Sequence, residues 1–318
     1  MGCGHPPPPP ISAFERGLVR RVPALLISAG LLVAALTGCS SNANASCVVD
    51  SGSASKLVSA SGAFGSPTAA HFPTPLYSKG LQRSILRTGT GEPLEQGQLV
   101  EADTVYFDAT TGKKMQSLTL GVPITKTPYP GLGKALRCVP IGSRVSITGT
   151  AKNILGAASA QQNGFNPSQS LVFVVDVKRA FLPRANGSVR PAQPGFPTVV
   201  LAPNGQPGLT IPSHDAPKKI TSETLKQGHG DTVKKKDNVV VNFTAVDWSG
   251  KTVTASSWQD GAPVVWNLGA DASNGGAPQG LNAELVGAQV GSQIVVIVPG
   301  TGSTGSASAY VVDVLGII

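Results

Sequence analysis

The chain is short of charge, of aromatic rings and of metal-binding side chains. Asp, Glu, Lys and Arg make up 13% of its 318 residues, about half the usual quarter. That excludes long charged helices and coiled coils, which need these residues at high density. Aromatics are 5% and the net charge of +8 is thinly spread. Nucleic-acid binding calls for a dense basic stripe interleaved with aromatics, so no nucleic-acid partner is expected. The one dense cluster, Lys234-Lys235-Lys236, reads as a solvated turn before a strand. The four His (His5, His71, His214, His229) are scattered, and the four Cys form neither a CxxC pair nor a cluster with His. No metal site and no cofactor are expected. What is abundant is Gly (38) and Pro (26), together about one residue in five against about one in eight on average. Val and Ile are plentiful enough to build a core. The composition predicts a β-rich chain with many turns.

The N-terminal part reads as an export signal. Arg16, Arg20 and Arg21 form a positive region ahead of an apolar stretch from Pro23 to Leu36. The stretch is shorter than the roughly 20 residues of a membrane span and suits a signal core. It ends in Leu36-Thr37-Gly38-Cys39, which resembles the lipobox of bacterial lipoproteins. That resemblance implies cleavage before Cys39 and a lipid anchor on its sulfur. Two or three acyl chains hold a protein on a membrane stably. The expected location is extracytoplasmic, on the outer face of a bacterial cell membrane. The other reading is an ordinary cleaved signal with a chance Cys. Residues 1–14, with Pro6 to Pro10, read as a tail ahead of the signal or as a start codon placed too early. Export leaves Cys47 and Cys138 as the unmodified thiols of the mature chain. In an oxidising compartment such a pair suggests a disulfide; two unrelated thiols are the alternative.

The mature chain repeats itself. Pro67-Thr68 recurs as Pro197-Thr198, and Leu86-Arg-Thr-Gly89-Thr-Gly91 as Leu225-Lys-Gln-Gly228-His-Gly230. Thr111-Gly112-Lys113 recurs as Ser249-Gly250-Lys251, and Gly131-Leu132 as Gly280-Leu281. Gly142-Ser143-Arg144-Val145 recurs as Gly291-Ser292-Gln293-Ile294, and Val174-Val175-Asp176-Val177 as Val311-Val312-Asp313-Val314. The order is the same in both copies, which points to two homologous domains.

In the second copy Asn238 to Trp248 reads as a long strand, Ser249-Gly250 as a hairpin turn and Lys251 to Ser257 as its partner. Pro263 to Leu268 reads as a third strand. Gly280 to Val286, apolar at i, i+4 and i+5, fits a short helix. Gln293 to Pro299 and Ala309 to Ile317 are apolar strands. Strands around a single helix predict an α+β fold, an antiparallel sheet curling over one helix.

The segments GDTVKKKDNVVVNFTAVDWSGK (230–251), TASSW (254–258), GAPVVWNLG (261–269), GLNAELVGAQVGSQIVVIVP (280–299) and YVVDVLGI (310–317) resemble the FKBP-type peptidyl-prolyl isomerases. The first copy matches more weakly, through TTGKKMQS (110–117), PGLGKAL (130–136), IGSRVSI (141–147) and NPSQSLVFVVDV (166–177). The whole chain looks like a two-domain lipoprotein of actinobacterial type. The implied organisation is a tail and signal over 1–38, a tether over 39–47, and a degenerate FKBP-like domain over 48–183. A linker follows over 184–197, then a second FKBP-like domain over 198–318. The resemblance implies tandem α+β domains, each a curved antiparallel sheet over one short helix. It also implies a foldase that isomerises X-Pro bonds of secreted proteins without any cofactor. Implied partners are proline-containing or unfolded secreted polypeptides, reached as a monomer anchored to the membrane. The alternative is a non-catalytic chaperone or peptide-binding lipoprotein.

Carried over residue by residue, the family's pocket falls on Phe243, Trp266, Leu281 and Tyr310 as catalytic positions. Thr254, Ala255 and Val264 stand at further substrate-binding positions, with Ala255 where an Asp is expected. The loop that normally carries a Tyr is shortened to Thr301–Ala307 and has no aromatic. In the first copy the strand Tyr falls near Thr104, the Phe-Asp pair on Met115-Gln116, and the floor on Leu132. The loop Tyr falls near Leu155 and the late Phe on Phe173.

Overall fold

The structure is a computed structural model that describes Cys47, residues 49–300 and residues 305–318. The signal segment, Cys39 and part of the Thr301–Ala307 loop lie outside the described residues.

The first half opens with a small hairpin, β1 (Ser59–Ser61) and β2 (Ala69–His71). Its main sheet contains β3 (Gln82–Arg87), β4 (Leu99–Asp108) and β5 (Lys114–Pro123), then β6 (Arg144–Thr150) and β7 (Ser170–Ala180). Helix α1 (Pro130–Leu136) separates β5 from β6. Two short helices, α2 (Ala151–Leu155) and α3 (Ala157–Gln162), separate β6 from β7.

The second half begins with β8 (Ser188–Val189) and a hairpin of β9 (Thr198–Leu201) and β10 (Pro207–Thr210). Its sheet holds β11 (Thr221–Gln227), β12 (Asn238–Asp247), β13 (Val253–Ser256) and β14 (Val264–Asn267). The one-turn helix α4 (Ser257–Asp260) interrupts β13 and β14. Helix α5 (Leu281–Leu285), β15 (Gln293–Val298) and β16 (Ser308–Ile317) complete it.

The two sheets have one topology. The first runs β3-β6-β7-β4-β5, and the second runs β11-β15-β16-β12, then β13 and β14. All strand pairs are antiparallel. Residues 184–197, read as a linker, carry β8, which extends the second sheet by pairing with β11.

Matched hydrogen bonds explain why the sequence repeats survive. Gly91 N–H donates to Ile141 O, and Gly230 N–H to Val290 O, both at 3.0 Å. Gly89 N–H donates to the Ser143 hydroxyl at 2.8 Å, and Gly228 N–H to that of Ser292 at 2.9 Å. A Cβ on Gly89 would lie 2.1 Å from Ile141 O, and one on Gly228 2.3 Å from Val290 O. Only glycine allows that approach. One repeat slips by a position. Gly112 and Lys251 both close their hairpins by donating to the Asp four residues back, Asp108 or Asp247. Gly112 takes φ 75° there, and Lys251 takes φ 52°. Gly250 therefore stands one residue before the turn position that favours glycine.

Alternating strand residues divide each half into two apolar layers. On the concave face of the first sheet, Val100, Ala102, Val145, Ile147, Phe173 and Val175 pack with Leu132 and Leu136 of α1. The convex face, with Val105, Phe107, Val172 and Val174, is covered by the β1–β2 segment. In the second half Val239, Val241, Ile294, Val296, Val312 and Val314 face Leu281 and Leu285 of α5. Val246, Trp248, Ile297 and Ala309 are covered by Ile211 and Leu209 of the β9–β10 segment. Cys47 and Cys138 are joined as a disulfide, Cα–Cα 5.6 Å, across 91 positions. Leu99, Phe181, Val240 and Leu315 form a small core between the halves.

One repeated pair has diverged. Asp176 and Asp313 are each about fully buried. Asp176 is held by Arg144, whose Nε and Nη2 reach its two oxygens at 2.6 and 2.7 Å. The matching residue in the second half is Gln293, whose Nε2 donates to Asp313 Oδ1 at 2.7 Å. Ala185 N–H donates to Oδ2 at 2.8 Å. Without a bound cation, burial raises the Asp313 pKa to about 6.

Candidate functional site on the concave faces

The second hollow is built by four elements. Strand β12 turns Val239, Val241 and Phe243 to the concave side, and β14 brings Val264 and Trp266 beside them. The Phe243 and Trp266 rings lie 5.0 Å apart at 46°. Helix α5 inserts Leu281 and Leu285, one turn apart and both fully buried. Its first turn begins at Gly280, φ +91°, where a Cβ would lie 2.7 Å from Ile220 Cδ1. Strand β16 contributes Tyr310, half-buried; burial pushes its phenol pKa up, and a hydrogen bond from Ser308 partly offsets this. The phenol is therefore neutral at physiological pH and able to donate.

Phe243, Trp266, Leu281 and Tyr310 thus share one apolar cluster. Their exposure divides them. Leu281 has none and Trp266 has 6%, so these two are packed floor. Phe243, Val264 and Tyr310 are half-buried and keep surface that a ligand can reach. Thr254 and Ala255 are exposed on β13. Thr244 meets Ser256 by their hydroxyls at 3.1 Å on the convex side. Ala255, opposite Ala245, alternates to the hollow side, and Thr254 is the unpaired residue of a bulge in β13.

The first hollow holds an aromatic ring two residues beyond Thr104. Thr104 itself is buried, and the ring on this strand is Tyr106. Tyr106 stacks on Phe173, centroids 5.0 Å and planes 17° apart, and meets Phe165 edge-on at 5.9 Å. Its hydroxyl donates to Gln116 Oε1 at 2.7 Å. Thr104 pairs with Val175 as Phe243 pairs with Val312, so Thr104 holds the register of Phe243, and Tyr106 lies two residues further on along the same face. At the same register the second half has Ala245, opposite Ala255 and next to Tyr310. Leu132 is buried beneath, like Leu281, and Leu155 of α2 is 6% exposed. Met115 is 42% exposed. The first half therefore keeps a polar pair at the rim of its hollow, and the second has two alanines there.

These surfaces are apolar, with neutral hydroxyl and amide groups at the rims. Among the described residues no three His, Cys, Asp or Glu side chains converge. What such a surface can do is receive an apolar ring and hold a nearby carbonyl by a neutral donor.

No protein-family profile matches the chain, and no curated protein matches it. Solved structures do. The three FKBP domains of wheat FKBP73 align at 17% identity and TM-score 0.27, over 75% of this chain and 95% of that one. FkpA from Escherichia coli aligns at 19% and 0.29, over 39% of this chain and 52% of that one. A peptidyl-prolyl cis-trans isomerase from Pseudomonas syringae pv. tomato aligns at 21% and 0.28, over 33% and 77%. Such values transfer no residue role or activity. The chain is built mostly of antiparallel sheet with few helices, and the solved structures to which it is similar are FKBP-type proteins, multi-domain ones among them.

Proposed function

We propose that this chain binds proline-containing segments of secreted polypeptides and accelerates cis–trans isomerisation of their X-Pro bonds. The observation that supports it is the neutral aromatic rim of the first hollow: Tyr106 between Phe165 and Phe173, with its hydroxyl on Gln116. Twisting an X-Pro bond breaks amide resonance, a barrier of roughly 18–20 kcal/mol. A surface that holds the twisted imide better than the planar one lowers that barrier without covalent chemistry. The pyrrolidine ring sits against Tyr106 and Phe165, and the Gln116 side chain, whose oxygen accepts from the Tyr106 hydroxyl, offers its Nε2–H to the substrate carbonyl. In the second half Phe243, Val264 and Tyr310 offer a shallower contact. The protein acts as a monomer at the outer face of the cell membrane, anchored through Cys39. The lipobox-like Leu36–Cys39 and the Cys47–Cys138 disulfide are what favour that location.

The test is the rate of cis-to-trans conversion of a short X-Pro peptide with the purified protein and with Tyr106→Ala and Tyr310→Ala. Acceleration that Tyr106→Ala removes and Tyr310→Ala leaves supports the assignment. No acceleration at micromolar protein removes the enzymatic reading. A second reading, a non-catalytic chaperone, is favoured by the filled floor of the second hollow, where Leu281 has no exposure. It predicts suppressed aggregation of a denatured secreted protein without peptide turnover.

A further inference from the structure

One cavity is lined by none of the residues named above for the two concave faces. It has a volume of about 510 Å³ and is walled by residues of both halves, among them Lys126, Arg184, Asn204, Asn242 and Trp258. A second cavity of about 310 Å³ shares Gln96, Thr125 and Lys126 with it and adds Lys134 and Arg137. The two therefore form one open groove. Four cations line it, and no carboxylate does. None of the four makes an ion pair among the described residues. Unpaired cations gathered without a carboxylate attract anions.

Two further features narrow the anion. Trp258 lines the cavity, and its indole N–H has no hydrogen-bond partner among the described residues, so it is a donor open to an acceptor. Gly205, φ +97°, brings Arg184 and Trp258 together: a Cβ there would lie 2.8 Å from Arg184 Cδ and 3.2 Å from Trp258 Cη2. Across the halves the Thr127 hydroxyl donates to Asp260 O at 2.8 Å and holds the walls in place. An aromatic donor, side-chain amides of Gln96, Asn204 and Asn242, and spaced cations suit a ligand with backbone carbonyls and several negative charges.

We propose that this groove binds an extended acidic segment of a polypeptide. Its carboxylates meet Lys126, Lys134, Arg137 and Arg184, and its carbonyls meet the side-chain amides and the Trp258 indole. The site is separate from both concave faces and does not depend on their chemistry.

The probe is fluorescein-labelled hexaglutamate, read by fluorescence anisotropy against full-length protein, with hexaglutamine as the neutral control. Saturable binding of hexaglutamate alone, weakened by raising NaCl from 50 to 300 mM, is expected. Lys126→Gln with Arg184→Gln weakens it by about fivefold or more, from exposed pairs contributing up to about 1 kcal/mol each. Lys218→Gln with Lys219→Gln, on exposed cations elsewhere, leaves it unchanged. Trp258→Phe, which keeps a ring and removes the donor, weakens it without abolishing it. Equal binding of hexaglutamine, or equal loss in the Lys218/Lys219 variant, overturns the proposal. Displacement of hexaglutamate by an equally charged oligothymidylate or by anionic vesicles at lower concentration also overturns it, in favour of those ligands.

Discussion

Replacing Asp313 by Asn removes a carboxyl that is 1% exposed and has no cation bound to it. Its proton is held more tightly in the folded chain, with a pKa of about 6 against an ordinary value of 3.8. Desolvation is the first cause; the hydrogen bonds from Ala185 and Gln293 and the charges of Lys226 and Arg184 oppose it. The sign follows directly. A carboxyl with a raised folded pKa favours folding while it is protonated, and that advantage is lost as pH rises from about 4 through 6. The size is about 3 kcal/mol, at about 1.4 kcal/mol per pH unit. Asn can keep both contacts, since its oxygen accepts from Ala185 N–H and its amide donates to Gln293 once that side chain turns over. Urea unfolding of the wild type and Asp313→Asn across pH 4 to 7.5 is the assay. The stability difference, variant minus wild type, is expected to rise by up to about 3 kcal/mol over that interval. A difference flat to within about 0.5 kcal/mol would refute the reasoning. Gln293→Arg supplies the cation that Arg144 gives Asp176, so it is expected to flatten or reverse the wild-type pH dependence.

Arg144→Gln makes the converse change and leaves Asp176 buried without its partner. Removing one member of a buried pair costs about 3–5 kcal/mol, read by thermal or urea unfolding. Leu281→Ala empties a fully buried site and is expected to cost about 2–5 kcal/mol; near-neutral stability would mean that α5 does not seal the hollow. Cys47→Ser with Cys138→Ser opens a crosslink spanning 91 positions, worth about 4–5 kcal/mol in the chain-entropy account, and lowers the urea midpoint accordingly. Lys251→Gly relieves a left-handed turn position at φ 52° and is expected to stabilise by about 1 kcal/mol; a loss of stability would place the turn elsewhere.

Local patterning made much of the fold legible. The strand over Asn238 to Trp248, the helix in Gly280 to Val286 and the last two strands all follow from alternation or 3.6-residue spacing, and β12, α5, β15 and β16 occupy those segments. Helices α2 and α3 are not legible in the sequence, because the apolar spacing of Ala151, Ile154 and Leu155 lasts about one turn before Gly156 interrupts it. Ala151, Ile154, Leu155 and Ala160 become core only by packing against the sheet and α1.

The sequence by itself determined the duplication, because its repeats are local requirements: glycines pressed against carbonyls, serine hydroxyls capping backbone, alternating valines. Tertiary structure alone decided which rings meet. Strand pairing set Tyr106 opposite Gln116 on one side and Phe173 on the other, and local spacing alone does not specify such cross-strand partners. It likewise decided that Asp176 has a cation and Asp313 does not. It also gathered Lys126, Lys134, Arg137 and Arg184 around one groove. Arg184 is remote from the other three in the chain, and only the folded backbone sets the distances on which their electrostatics depend.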